Sequence, residues 1–577
     1  FIVDSADDVI TDSTTKIGEA SNETNTVNFS GTKGGYDLAD GVNVNLIQAA
    51  GANGVASTAG TSSIYLVGND YAQRIVGNAG DNVLDGAGAT RDATGAAATL
   101  GDTLDGGAGN DTYRIYTNSD RVLDSGGSDT VYTSSQTTEL FTVAGGQNIE
   151  TLSAFDQSSS SINYNLTGDV NDNRVIGAMG NDTLNGAAGS DTLIGLGGND
   201  TYVIDSAAAD TIVEGANGGD DLVLLSGTTA YTLGADAQVE RVNVLDATYN
   251  AAVKGNEFNQ VLDASRVTSA GVTLNGGGGT DTLIGSSGND LFVVDDASDV
   301  IIDTKGGPNS ISFAGTGGYD LAAGVNVTSL SVDASVKTGV YLVGNEFSQT
   351  ITGGVGNDVL NGDGGLSGAT DTLNGGAGDD VYRVWNKSDV VNENAGEGFD
   401  TVYTSVNYQL GAGQAIEQLS AADQSSTGSV TLYGNDLANR VIGNNGANII
   451  SGGAGQDVLI GLGGADTFVF QNYGAANADT IQDFSKADGD KFQLVNSAGA
   501  GDFDGLTTGT LAATQFVNGT AATTDSAQII YDQSTGRIFF DADGTNTASS
   551  AQLVAQVTPG TELTANDFTV VTAAPTI

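Results

Sequence analysis

The sequence predicts an all-β fold, an elongated solenoid of short strands that ends in a β-rich C-terminal cap. Three observations carry that prediction. A carboxylate recurs every nine residues in glycine-rich runs: residues 180–205 read GNDTLNGAAGSDTLIGLGGNDTYVID and space Asp182, Asp191 and Asp200 evenly. Each of these Asp residues is followed by a Thr and then by a large side chain, Leu184, Leu193 and Tyr202, which is the alternation of a short half-buried strand. Longer repeats of about ninety residues also run through the chain, and self-similarity at a fixed period is the signature of stacked units that share one core.

Composition narrows the chemistry. The 577 residues have room for several domains or one long array. There are 71 acidic residues against 18 basic ones, a formal charge of -53. Nucleic acid and anionic membrane surfaces are poor partners for such a chain, and its like charges oppose compaction unless cations neutralise them. With 85 glycines and only three prolines, the composition is neither collagen-like nor Pro-rich and disordered. The chain has no Cys and no His, which excludes disulfides, Cys/His zinc sites and Ser-His or Cys-His catalysis within it. The remaining oxygen ligands suit calcium or magnesium. No apolar run approaches a membrane span, so no membrane insertion is expected. The sequence begins at Phe1 and shows no N-terminal signal-peptide pattern.

The nine-residue unit fits G-G-x-G-x-D-x-U-x, with U large and apolar, at 186–194, 195–203, 276–284 and 452–460. Glycine permits the positive-φ turns of a tight loop, and the Asp closes it. Much of the chain therefore resembles the RTX repeats of secreted bacterial proteins. That resemblance implies a right-handed parallel β-roll with two nonapeptides per turn. Loops of rows n and n+2 then stack on one edge, and Ca²⁺ sits between them on Asp carboxylates and glycine carbonyls. Asp182 and Asp200 share an edge on this reading. The expected calcium ligands are Asp102, Asp111, Asp120, Asp129, Asp182, Asp191, Asp200, Asp210, Asp220, Asp281, Asp290, Asp299, Asp358, Asp371, Asp380, Asp389, Asp400, Asp457 and Asp466. Asn82, Asn309 and Asn448 stand where a ligand Asp is expected; an amide brings less charge, so weak or empty sites are expected there. An insertion at 362–370 enlarges one loop.

The longer period aligns Phe1, Tyr113, Tyr202, Phe292, Tyr382 and Phe468, and an L-x-G-N box at 66–69, 166–169, 253–256, 342–345 and 432–435. These landmarks divide the chain into an incomplete first module with the first β-roll (1–112), modules at 113–201, 202–291, 292–381 and 382–483, and a C-terminal cap (484–577) to which the RTX resemblance assigns a secretion signal. Each module joins calcium-type rows to a glycine-poor stretch such as 400–421. Its even strand spacing reads as continued, calcium-free β-helix, with a separate globular insert as the alternative. Residues 1–10 return at 292–301, and 34–46 return at 317–330. Either a three-module block is duplicated, or one surface recurs to make repeated lateral contacts. Because Phe1 falls in mid-module, the expectation is an open solenoid end covered by another subunit or by an upstream segment.

Residues 526–546, SAQIIYDQSTGRIFFDADGTN, read as a hairpin around Ser534-Thr535-Gly536, with DADG at 541–544 as a plain turn and a further calcium site as the alternative. The region resembles the C-terminal part of RTX proteins, a cap followed by an uncleaved type I secretion signal. That likeness implies export by the type I machinery through both membranes of a Gram-negative cell. No H-E-x-x-H, G-x-S-x-G or Walker lysine pattern occurs, and Trp385 aligns with Tyr116 as a module position rather than a sugar-stacking platform. No catalytic residue is expected, and the chain is not expected to be an enzyme. The expectation is a secreted calcium-binding structural protein that folds on export and self-assembles into a surface layer or filament. An RTX adhesin or biofilm-matrix protein that binds cell-surface polysaccharide, or the repeat portion of a larger secreted enzyme, are the alternatives.

Overall fold

Strand length follows the repeat. In Thr183–Asn185 only Leu184 turns inward, flanked by two half-buried polar side chains, and Thr192–Ile194 follows nine residues later with Leu193 inward. The computed structural model describes residues 1–5, 7–10, 25–31, 34–50, 57–88, 101–134, 141–142, 148–205, 210–227, 230–245, 251–268, 270–303, 306–362, 369–497, 503–546 and 548–577. The 362–370 insertion thus lies mostly outside the described residues.

Along the solenoid successive strands go to alternate sheets, and within a sheet each pairs in parallel with the strand two places on. Leu184 is in register with Leu166 and with Tyr202, eighteen residues to either side. Val175 and Leu193 make the corresponding pair in the neighbouring sheet. One coil is therefore two nonapeptides, and the architecture is the parallel β-solenoid that the repeat predicts.

The described residues form two compact units, Phe1–Asp290 with Ser298–Lys305, and Leu291–Ala297 with Gly306–Ile577. In the first, a six-stranded sheet runs from Ile2–Val3 to Arg121–Leu123, and nine-stranded sheets run from Gly34–Asp37 to Thr211–Val213 and from Phe141–Thr142 to Val300–Ile302. The sheets break at different coils, so each break on one face is spanned by an unbroken sheet on another. In the second, a parallel run from Gly317–Asp320 to Asp479–Ile481 accompanies a sheet that runs from Tyr408–Gln409 to Lys491–Val495. The core is a column of inward side chains in register, such as Val131, Leu152, Val175, Leu193 and Ile212, all buried.

The glycine-poor stretches stay within the solenoid. Thr401–Thr404 and Gln418–Ala421 pair in parallel with each other and with the coils on either side, so they are not a separate insert. The L-x-G-N box explains how such coils are held. Asn69 Nδ2 donates to the carbonyls of Ala39 at 2.8 Å and Val42 at 2.9 Å in the preceding coil. Asn256 does the same to Gly234 and Ala237, Asn345 to Ala322 and Val325, and Asn435 to Gly411 and Gln414. Buried carbonyls need donors, and here one amide serves two of them.

The second unit closes on the expected hairpin. Gln528–Asp532 and Arg537–Asp541 pair antiparallel across a turn with Gly536 at φ 75°. The solenoid extends past residue 483: Lys491–Val495 still pairs in parallel with Thr467–Phe470 and carries Phe568–Val571 on its other side. Stacked rings fill this end, with Phe484–Phe492 and Phe492–Phe568 centroids both 4.6 Å apart. The 541–544 segment is a turn closed by its own bonds, Gly544 N–H to Asp541 Oδ1 at 3.0 Å among them. Trp385 donates to Asn361 at 2.7 Å, while Tyr116 meets Asp85, so the two rings hold matching module positions.

Candidate metal centres

The periodic Asp residues form ladders along the loop edges. Each rung donates its main-chain N–H to the carboxylate one coil further on. Asp182 N–H reaches Asp200 Oδ1 at 2.7 Å, and Asp200 N–H reaches Asp221 Oδ1 at 2.7 Å. The same bond links Asp111 to Asp129, Asp102 to Asp120, Asp191 to Asp210 and Asp281 to Asp299. In the second unit it links Asp358 to Asp380, Asp380 to Asp400, and Asp371 to Asp389. Asp457 and Asp466 continue to Asp479 and Asp490. Asp290 holds the rung below Val272, accepting its N–H at 2.8 Å.

Asp220 is the exception among the expected ligands. Its carboxylate lies outside the ladder, 3.1 Å from the Arg241 guanidinium, and both side chains are exposed. Asp221 takes the rung, fully buried. The physical reason is strand parity: Val223 is the first inward residue of Leu222–Leu225, so the acid two places before it, Asp221, meets the loop edge. At Asp120 and Asp389 the rung carboxylate also folds onto its own turn. Asp120 Oδ2 accepts the N–H groups of Tyr116 and Thr117, and Asp389 Oδ2 accepts that of Asn386. Asn309 lies buried at the start of its strand and donates to the Asn326 carbonyl at 3.4 Å.

Among the described residues, three places gather a third carboxylate. Asp111, Asp124 and Asp129; Asp200, Glu214 and Asp221; and Asp380, Glu393 and Asp400 each bring three oxygens within 4.8 Å of one another. The third acid comes from the residue just after the next strand, and a tyrosine on the strand before that one fixes it. Tyr113 donates its hydroxyl to Asp124 at 2.7 Å, and Tyr202 and Tyr382 donate theirs to Glu214 and Glu393. In sequence these third acids fall outside the nonapeptide pattern. Glu150, Glu240 and Glu417 are likewise unmarked in the sequence, yet each ends a ladder by accepting the N–H of Asp129, Asp221 and Asp400.

Burial makes these clusters costly without a cation. Desolvation first, then neighbouring carboxylates, push Asp200 up to about 8 even though the Asp182 N–H pulls the other way. Burial raises Glu214 to about 7 and Asp380 to about 7 in the same manner, and Glu393 to about 8. The second oxygens of Asp111, Asp129, Asp200, Asp221 and Asp380 are buried with no hydrogen-bond partner, a cost of about 1–3 kcal/mol for a polar group and more for a charged one. A Cβ on Gly195 would collide with Asp200 Oδ2, Glu214 Oε2 and the Tyr202 hydroxyl, and Gly375 faces the matching trio in its module. Hard oxygen donors, excess negative charge and space kept by a missing Cβ fit Ca²⁺, which takes six to eight such ligands. When bound, the ion supplies the positive charge that lets the carboxylates remain ionised in the interior. The Asp rungs and the Tyr-held acids orient the oxygens, and the glycines keep the cradle open.

The family described as the RTX calcium-binding nonapeptide repeat (4 copies) matches residues 67–89, 101–114, 167–202, 272–302, 342–366, 367–383 and 433–468. No curated protein matches the chain. In each three-acid cluster the first Asp lies within a matched segment, while the other two acids lie beyond its end. Calcium-binding nonapeptides on a parallel β-solenoid, with buried acids suited to the ion, make this chain an RTX-family repeat protein.

Proposed function

We propose that the chain is a secreted, non-catalytic structural protein that folds on calcium outside the cell and self-assembles into a surface layer or filament. The observation that carries this reading is the set of buried three-acid clusters. In a low-calcium cytoplasm they repel, and the chain stays extended and fit for type I export. Outside, calcium binds only the folded state and draws it forward by mass action. RTX repeats are typical of secreted bacterial proteins, and among the described residues no helix is long and apolar enough to cross a membrane.

Support for assembly comes from exposed apolar side chains that recur on the loop edges, Met179 and Leu196 in the first unit and Val355 and Leu462 in the second. A repeated exposed apolar position suits repeated contact with another copy. The test is electron microscopy of the purified chain at matched concentration in millimolar Ca²⁺ and in chelator. Regular sheets or filaments only with Ca²⁺ support the reading. Isolated folded particles in Ca²⁺ at every concentration contradict intrinsic self-assembly, and saturable binding of a glycan by those particles would favour an adhesin.

A further inference from the structure

Asn82 and Asn448 open the acidic ladder in their modules, at the rung that Asp182 and Asp358 hold in two others. Asn82 N–H donates to Asp111 Oδ1 at 2.6 Å and Asn448 N–H to Asp466 Oδ1 at 2.8 Å, as Asp182 does to Asp200 and Asp358 to Asp380. Both Asn side chains are buried.

Their amide nitrogens sit in cages of oxygen. Asn448 Nδ2 donates to the carbonyls of Asn444 at 2.8 Å, Gly446 at 2.9 Å and Gly461 at 3.2 Å, and to Asp466 Oδ1 at 3.0 Å. Asn82 Nδ2 faces the same set one module type over, the carbonyls of Asn78 at 3.0 Å, Gly80 at 2.5 Å and Gly106 at 3.3 Å, and Asp111 Oδ1 at 2.9 Å. In each case two oxygens come from the residue's own loop, four and two positions back. The other two come from a Gly and the Asp five places after it, one coil on. Main-chain carbonyls and a carboxylate have no hydrogen to offer, so the amide must present its NH₂ to them. Two N–H bonds shared among four acceptors make a positive pole inside an oxygen shell, which is the electrostatic role a bound cation plays.

We propose that Asn82 and Asn448 are built-in cation substitutes. The loops at 77–82 and 443–448 close without calcium, whereas those at 177–182 and 353–358 close on the ion. The inference rests on the reading that the Asp rungs hold calcium. It assigns the amides a task beyond weak ligation: they exclude the metal by occupying its place.

Exchanging one atom group should convert one kind of rung into the other. The experiment counts calcium per folded chain by equilibrium dialysis and elemental analysis, with circular dichroism confirming β structure, in the full chain and in Asn448→Asp, Asn82→Asp and Asp358→Asn. Each Asn→Asp change is expected to add one ion per chain, and Asp358→Asn to remove one while keeping the fold. Folded Asn→Asp variants with the wild-type count overturn the proposal. Should the Asn→Asp chains not fold even in high calcium, Asp358→Asn decides it: one ion fewer with the fold intact supports the proposal, and an unchanged count or lost fold overturns it. A wild-type chain that binds no calcium would instead overturn the calcium reading itself, which keeps the two failures apart.

Discussion

The Tyr202 hydroxyl donates to the carboxylate of Glu214, twelve residues on and just past the next strand of the same coil, and both groups are buried. The phenol therefore fixes an acid that belongs to no nonapeptide, and aims it at Asp200 and Asp221. Tyr202→Phe keeps the ring in the core and removes only the donor. Its expected effect is a loss of about 1–2 kcal/mol from an unmade buried hydrogen bond and a rise of about tenfold in the calcium needed at that site, as for other groups that orient ligands. Calcium titration of folding for wild type and variant checks it; an unchanged midpoint would show that the tyrosine only fills space.

Asp221 and Asp220 offer a paired control. Asp221→Asn takes one charge from a buried three-acid cluster and should raise the calcium midpoint on the order of tenfold. Asp220→Asn removes an exposed carboxylate paired with Arg241 and should change stability by less than about 0.5 kcal/mol. Equal effects from the two would refute the placement of the rung.

This pair also shows what the sequence could and could not convey. The nine-residue spacing and the apolar residue two places after each Asp were enough to anticipate strand triplets, while coils of two nonapeptides and the shared edge of Asp182 and Asp200 were anticipated from the RTX resemblance. The hairpin around Gly536 was equally legible, since alternation and a turn residue are local signals. In the doublet Asp220-Asp221 the nearer match to the glycine run is the wrong one, and only the inward position of Val223 selects the other. Asp124, Glu214 and Glu393 were illegible because they stand thirteen or fourteen residues after Asp111, Asp200 and Asp380, off the nine- and eighteen-residue spacing of the ladder. The amide cages of Asn82 and Asn448 needed three dimensions as well: half of each cage comes from the next coil.

Protons should act as a partial substitute for calcium. Burial raises the folded-state values of Asp200 to about 8, Glu393 to about 8 and Asp466 to about 7, well above an unfolded carboxyl near about 4. A raised value means that the folded chain holds the proton more tightly than the unfolded chain does. That contribution is complete below about pH 4 and is lost as pH rises through about 7 to 8. In chelator, β structure should therefore gain thermal stability as pH is lowered from 8 to 5. In calcium the trend at these sites reverses, because bound carboxylates must be ionised, and the calcium midpoint should move upward as pH falls. Circular dichroism melts across this range check both arms, and a chelated chain most stable above pH 8 would contradict them.

Gly195→Ala tests the cradle directly. The new methyl group would occupy the space between Asp200, Glu214 and the Tyr202 hydroxyl. The expected result is one calcium site lost with a loss of stability of about 1–3 kcal/mol, the usual range for overpacking. A wild-type calcium count would show that the site does not use this space.

The central claim is that burial of these carboxylates ties folding to calcium. The measurement that tests it most directly is a far-ultraviolet circular dichroism titration of the purified chain with calcium at neutral pH, beginning in chelator and run in parallel with magnesium. The account predicts an unfolded or largely unfolded chain in chelator, a cooperative rise of β signal with calcium, and a much weaker response to magnesium, which favours a rigid octahedral shell and keeps its waters. Full β signal in chelator, with a thermal midpoint that calcium does not move, would contradict it.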